Sequence, residues 1–414
     1  MKYEFGYGTT TQSVEIDHKN LLAELLPNPV QGVESEVGEV ERALQEPIGA
    51  PKLREIVKPG EKVAIVTSDI TRPMPTAKVM MPLLAELKAG GVREEDISLV
   101  FALGSHRKQT PEEKRKLAGD YAFEHLNVVD SDPEDCVYLG VTSRGTPVDI
   151  TRVVAEADRV ICLGNIEYHY FAGYSGGAKA IMPGCSTHDA IQTNHRFMVQ
   201  EAACAGNLEG NPIREDIEES GRMLGIDYIL NVVLDEHKKI VKAVAGDSVQ
   251  AHRAGCAFLD TLYGKTIPAK ADIVIVSQGG APKDLNLYQT QKALDNAKYA
   301  VRKGGTVILV GACQEGLGEK TFEQWMLEAP TAESMVERIG KDFQLGGHKA
   351  AAIAMVLQNA DIYMVSEMEP DFVRSIFLQP YPSLQEAYTA ALNKYGADAT
   401  VITMPYGGSV LPKL

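Results

Sequence analysis

Two histidines, a lysine and an arginine stand where a chain could use them on a small acid. His106 lies in G-S-H-R at 104–107, and His169 in E-Y-H-Y-F-A-G-Y-S-G-G-A-K-A-I-M-P at 167–183, a run too glycine-rich for helix or plain strand. Near neutral pH an imidazole can take or give a proton, so two of them on opposite sides of one carbon suit a reaction reversible from both faces. Lys179 supplies either a fixed charge or an amine for covalent chemistry. The glycines before it let the backbone approach a ligand and turn N–H groups toward an anion. Arg72, in D-I-T-R-P at 69–73, can grip a carboxylate with two N–H groups. Lys292, three residues after Gln289 and on the same helical face, would second it. Protein groups alone remove the α-hydrogen of a 2-hydroxy acid poorly, so a hydride acceptor is wanted. No G-x-G-x-x-G follows a strand, which disfavours a freely bound dinucleotide.

Each residue also has a plainer role open to it. Asp69 could cap the helix that follows, and Arg72 could be a solvated charge. His106, between Ser105 and Arg107, could be a surface residue, His169 a satisfied core residue and His195 a helix-surface one. Cys185 reads as a small packing residue, and His125, His188, His237, His252 and His348 as structural. Gly173-Tyr174-Ser175-Gly176-Gly177 spells G-x-S-x-G, leaving a serine hydrolase with His188 or His195 as base as an alternative. A non-catalytic two-domain protein closing on a carboxylate is another; it would use Arg72 and Lys292 but not Lys179, His106 or His169.

The elements that must position these residues read as an α/β chain. Short apolar runs at 61–69, 97–103 and 159–163 predict buried strands, and each leads into one of the polar, glycine-marked loops. A helix is expected from about 75 to 89, another after Thr110 with Pro111 and a Glu113 capping box, another from near 186, and one opened by Asn211-Pro212. The alternation continues past 272 and predicts mostly parallel sheets covered by helices. In such sheets ligands bind beyond the carboxyl ends of the strands, which gathers Asp69, Arg72, His106, His169 and Lys179 on one edge. Two domains are expected. Residues 1–264 would carry the catalytic histidines, with residues from about 396 to 414 able to pack back onto them; residues 272–395 would supply substrate contacts across an interdomain cleft.

Composition narrows the partners. The chain has 414 residues, 44% of them hydrophobic, and a formal net charge of −15, which argues against nucleic acid and anionic membranes as partners. No run approaches a membrane span, and the N-terminus lacks an apolar leader core. Six cysteines without C-x-x-C pairs imply neither a zinc site nor a disulfide framework, so a cytoplasmic protein is expected.

Taken together, D-I-T-R-P at 69–73, G-S-H-R at 104–107, H-Y-F-A-G-Y-S-G-G-A-K-A-I-M-P-G at 169–184, N-H at 194–195 and L-Y-Q-T-Q-K at 287–292 resemble the nickel-dependent lactate racemase family. The resemblance implies racemisation or epimerisation of a 2-hydroxy acid by reversible hydride transfer from Cα. The implied hydride acceptor is a nickel pincer nucleotide, Ni(II)-pyridinium-3,5-bisthiocarboxylic acid mononucleotide, tethered through Lys179. It also implies His195 as the nickel ligand, and Asp69, Ile70, Thr71 and Arg72 bordering the cofactor. His106 and His169 would be the paired acid/base residues, Arg72, Gln289 and Lys292 the substrate contacts, and cofactor-building enzymes the maturation partners. One departure bears on the substrate: the family places a tryptophan over it, whereas here the sole tryptophan is Trp325 and the corresponding region reads D-F-Q-L-G-G-H-K-A at 342–350.

Overall fold

The computed structural model describes residues 1–30 and 32–414. It divides into two compact units, Pro29–Leu259 and Met1–Asn28 with Asp260–Leu414.

The first of these is built on a six-stranded sheet in the order Ile240–Gly246, Tyr228–Leu234, Arg159–Asn165, Val63–Ser68, Ile97–Ala102, Asn127–Asp130. All neighbours are parallel except the pair formed by Ile240–Gly246 and Tyr228–Leu234. Helices and loops cover both faces, so the central strands are apolar throughout rather than alternating. On one face, helix Thr76–Ala89 buries Val79, Met80, Leu83 and Leu87, spaced three and four apart, against Ile65, Leu99 and Phe101. On the other, Ile181 and Cys185 join Ala64, Val66, Val100 and Cys162. The segment after Lys179 is therefore pinned to the sheet, and Cys185 is the packing residue its surroundings suggested. The capping box at Thr110 and Glu113 forms as expected. The helix expected from near 186 runs His188–His195, because the Thr187 hydroxyl accepts from Ala190 N–H and sets its start.

The second unit carries a wholly parallel sheet in the order Gln379–Tyr381, Ala360–Val365, Val301–Val310, Ala271–Ser277, Val401–Met404, Leu21–Glu24. The hairpin of Lys2–Tyr7 and Thr10–Glu15 puts Phe5, Tyr7, Val14 and Ile16 into the same core as Ile273, Ile275 and Ile308.

The expected division at 264 moves accordingly. Residues 1–28 belong with the C-terminal half, where strand Leu21–Glu24 pairs with Val401–Met404. Residues 396–414 do not join the Pro29–Leu259 unit: Val401–Met404 lies inside the second sheet, and Leu411–Lys413 pairs with Gly264–Thr266. A parallel strand gains its hydrogen bonds from a neighbour arbitrarily far along the chain, so order in sequence does not disclose the edge it joins. Among the described residues no helix is long and apolar enough to cross a membrane.

Candidate active site

Three adjacent parallel strands of the Pro29–Leu259 unit end on one edge of its sheet, and the loops leaving them are tied together. Val63–Ser68 lies between Ile97–Ala102 and Arg159–Asn165. Gly104 N–H donates to Gly184 O (2.9 Å), and the Ser131 hydroxyl donates to the same carbonyl (3.1 Å), joining the His106 loop to the end of the glycine-rich run.

Asp69 is not a helix cap. Its Oδ1 accepts from the N–H and hydroxyl of Thr71 (3.1 and 2.6 Å), a local turn, and its Oδ2 accepts from His106 Nδ1 at 2.7 Å. An ionised carboxylate can only accept, so Nδ1 of His106 carries the hydrogen and Nε2 is left to exchange a proton. Burial pushes the Asp69 carboxyl up, but the hydrogen bonds from His106 and Thr71 outweigh it and hold it below its ordinary value. Gln109 Oε1 accepts from Ile70 N–H (2.9 Å), and Arg72, exposed at the end of the turn, donates its N–H to Asp69 O (3.2 Å).

His169 stands in a short antiparallel ribbon, Tyr168–His169 against Gly173–Tyr174. Its Nδ1 accepts from Ala172 N–H (3.3 Å), which places its hydrogen on Nε2, the reverse of His106. The Phe171 ring touches both His169 and His195, with centroids 4.5 and 4.8 Å away. His195 ends its helix nearly buried, and its Nδ1 pairs with Asn194 Oδ1 (3.0 Å); the Asn194 amide is held in turn by Asp216 (2.7 Å). Such a chain of contacts orients an imidazole so that its Nε2 can meet a ligand.

Lys179 is half-buried in a short 3-10 turn at the loop's end. Burial, and then the charges of Arg72 and Arg214, push its amine well below the usual lysine range, with Glu167 opposing. Burial, followed by Lys179, Arg72, His195 and Arg214, does the same to His169. Both groups thus give up their protons more readily than free lysine or histidine. The structure brings Asp69, Thr71 and His106 together by direct contact, and Arg72, His169, Lys179 and His195 by electrostatic reach. Gln289 and Lys292 belong to the other unit, where both are exposed on helix Leu287–Ala297, whose start Asn286 caps.

The serine-nucleophile reading fails on geometry. The Ser175 hydroxyl donates to Asn165 O (2.6 Å) and accepts from Glu167 N–H (2.9 Å), so it is spent on backbone. His252 Nε2 reaches Ser175 O rather than Oγ. Trp325 is a core residue of its unit: it is buried, donates to Gln344 Oε1 (3.1 Å) and packs against Gly347.

Some participants were not visible in the sequence. The Asp69–His106 pair joins residues 37 apart. Arg214, Asn211, Asn231 and His252 hold the backbone of the glycine-rich loop. Each reads locally as a helix cap, a surface charge or a core polar residue, and no spacing rule links them to 171–177.

Comparison with known proteins gives the family. Residues 7–206 match the lactate racemase N-terminal domain and residues 267–411 the lactate racemase C-terminal domain. The lactate racemase of Thermoanaerobacterium thermosaccharolyticum is 34% identical over 388 residues, 91% of this chain and 90% of that one. The lactate racemase of Lactiplantibacillus plantarum is 31% identical over 420 residues, 98% of each. The structure of the T. thermosaccharolyticum lactate racemase apoprotein superposes with a TM-score of 0.88 over 100% of both chains, at 31% identity. A Thermotoga maritima protein, 18% identical with a TM-score of 0.63 over 93% of this chain and 100% of that one, shares the fold alone. With both domains matched in order and relatives above 30% identity along nearly its whole length, the chain belongs to the lactate racemase family and is an isomerase of the racemase type.

Proposed function

We propose that the chain interconverts the two hands of a short 2-hydroxy acid, lactate or a close relative, with a nickel pincer nucleotide tethered through Lys179. The observation that carries this reading is the placement of Lys179, in the turn that ends the glycine-rich run carrying His169, where burial and then the Arg72 and Arg214 charges push its amine well below the usual lysine range. A neutral amine can form an amide-type bond, and the surrounding cations suit the anionic groups of a nucleotide. As the family resemblance implies, a nickel ion here would take one nitrogen, from His195, and its other ligands from an organic group, a donor set suited to a soft tetragonal site. When bound, the cofactor supplies a reversible hydride acceptor.

The chain's own residues supply the rest. Arg72, with Gln289 and Lys292 on the strength of their motif, holds the substrate carboxylate. His106, oriented by Asp69, takes the hydroxyl proton at Nε2 from one hand of the substrate, and His169, as the imidazolium, gives a proton to the oxygen of the other hand; the two exchange roles on the reverse path. To carry both protons the His169 ring must release the Ala172 N–H. Asp69 to Arg72 border the cofactor. The enzyme is proposed to work in the cytoplasm, matured by cofactor-building enzymes.

The test is intact-mass and metal analysis of chain produced with those enzymes, followed by a racemisation screen over 2-hydroxy acids. Nickel and a mass increment on Lys179, both lost in Lys179→Ala, are expected; finding neither in the native chain would remove the mechanism.

A further inference from the structure

Arg214 is fully buried, yet among the described residues it forms no ion pair with a carboxylate. Burying a guanidinium is costly, and burial pushes this one down to about 10 against the opposing charge of Glu218. Among the described residues its Nη1 has no hydrogen-bond partner. What the guanidinium does touch is the reactive loop: Nε donates to Ala172 O (3.1 Å) and Nη2 to Tyr174 O. These carbonyls are two residues apart, on either side of Gly173, whose φ is +76° and where a Cβ would lie 2.1 Å from Asn207 O. The fork of an arginine can bridge two such acceptors at once, whereas a lysine is a single point charge.

The same helix grips the loop a second time. Asn211, the cap residue three positions before Arg214, donates to Phe171 O (2.8 Å). On the far side, His252 Nε2 donates to Ser175 O (2.8 Å) and Asn231 Oδ1 accepts from Gly177 N–H (2.8 Å). The carbonyls of 171, 172, 174 and 175 are thus each taken by a buried side chain lying outside the loop. His169 and Lys179 flank this clamped stretch.

We propose that Arg214 is the positioning residue of the reactive loop, its guanidinium bridging the carbonyls of Ala172 and Tyr174 and so setting where His169 and Lys179 stand. The inference rests on those two residues being the working groups, as read above. It assigns Arg214 no contact with substrate.

The experiment compares native chain, Arg214→Lys and Arg214→Met, each full length, by amide hydrogen exchange without cofactor and by the mass increment on Lys179 when made with the cofactor-building enzymes. Arg214→Met should exchange at least roughly tenfold faster at 169–179, since both guanidinium hydrogen bonds to the loop are lost, while strands Val63–Ser68 and Ile97–Ala102 keep native protection. Its Lys179 loading should fall by about the same factor. Arg214→Lys keeps the charge and most of the volume, so it serves if Arg214→Met does not fold; it should restore the strands but only part of the loop's protection. Native exchange at 169–179 in either variant, or acceleration spread evenly over the unit, would overturn the proposal and leave Arg214 a packing residue. A native chain that gains no mass on Lys179 would count against the cofactor reading alone, because the exchange measurement does not involve the cofactor.

Discussion

Each unit has a parallel sheet with a strand running out into a glycine-rich loop, but the two loops are gathered around opposite charges. In the Pro29–Leu259 unit the anchor is the Arg214 guanidinium, which donates to loop carbonyls. In the other unit the loop after Ala271–Ser277 ends at Asp284, buried, whose Oδ2 accepts from Gly8 and Ala312 N–H groups (2.8 and 3.0 Å). There the Ser277 hydroxyl and the Gln278 amide add bonds to Gly6 O (2.7 Å) and Gln289 O (2.9 Å). A carboxylate anchor consumes N–H groups and leaves its surroundings negative, which suits a joint between chain segments. A guanidinium anchor consumes carbonyls and leaves a positive field, which pushes the Lys179 amine below the usual lysine range. Similar loops in similar sheets are thereby set in opposite fields by one buried residue each.

The comparison can be broken most severely at the histidines. His106→Ala and His169→Ala should each lower kcat/KM by about 10²- to 10⁴-fold, the usual weight of a general acid or base. Mirror-image substrates have equal energy, so each variant must lose the same factor in both directions. A variant with native activity would break the two-histidine scheme. Asp69→Asn comes next, with about a tenfold or greater loss in kcat and little change in melting temperature at neutral pH, since the amide no longer fixes the His106 tautomer.

In the opposite unit, Asp284→Ala should act on stability. It orphans the Gly8 and Ala312 N–H groups at a cost of about 1–3 kcal/mol, read by urea denaturation, while hydrogen exchange at 169–179 stays native. Altered exchange at 169–179 would mean that the two anchors are not independent. The smallest effect concerns His252, whose ring burial, and then the Arg214 charge, hold well below the ordinary histidine range. The unfolded chain takes that proton below a pH of about 6.5 and the folded chain refuses it, so stability is lost as pH falls. His252→Gln should flatten that dependence by about 1 kcal/mol in total between neutral pH and 5.5; an unchanged slope would mean the ring takes up its proton as readily in the folded state.

The strand runs, the Thr110 capping box and the convergence of the loops at 69, 106 and 169 were legible because each depends on neighbours in sequence or on the general rule for parallel sheets. The role of Asp69 was half legible. A short acidic residue after a strand announces a turn, but whether it caps a helix or holds a histidine depends on where residue 106 arrives. The placement of residues 1–28 was not legible, because strand Leu21–Glu24 has no local mark naming Val401–Met404 as its partner.

By itself the sequence determined which residues could exchange protons, hold a carboxylate or become covalently attached, since side-chain chemistry and glycine spacing are properties of the chain. Tertiary structure alone decided which of them share an environment and in which direction that environment moves their proton affinities. Desolvation and the field of distant charges, here Arg214 and Arg72 acting on Lys179, arise only when segments far apart in sequence are packed together.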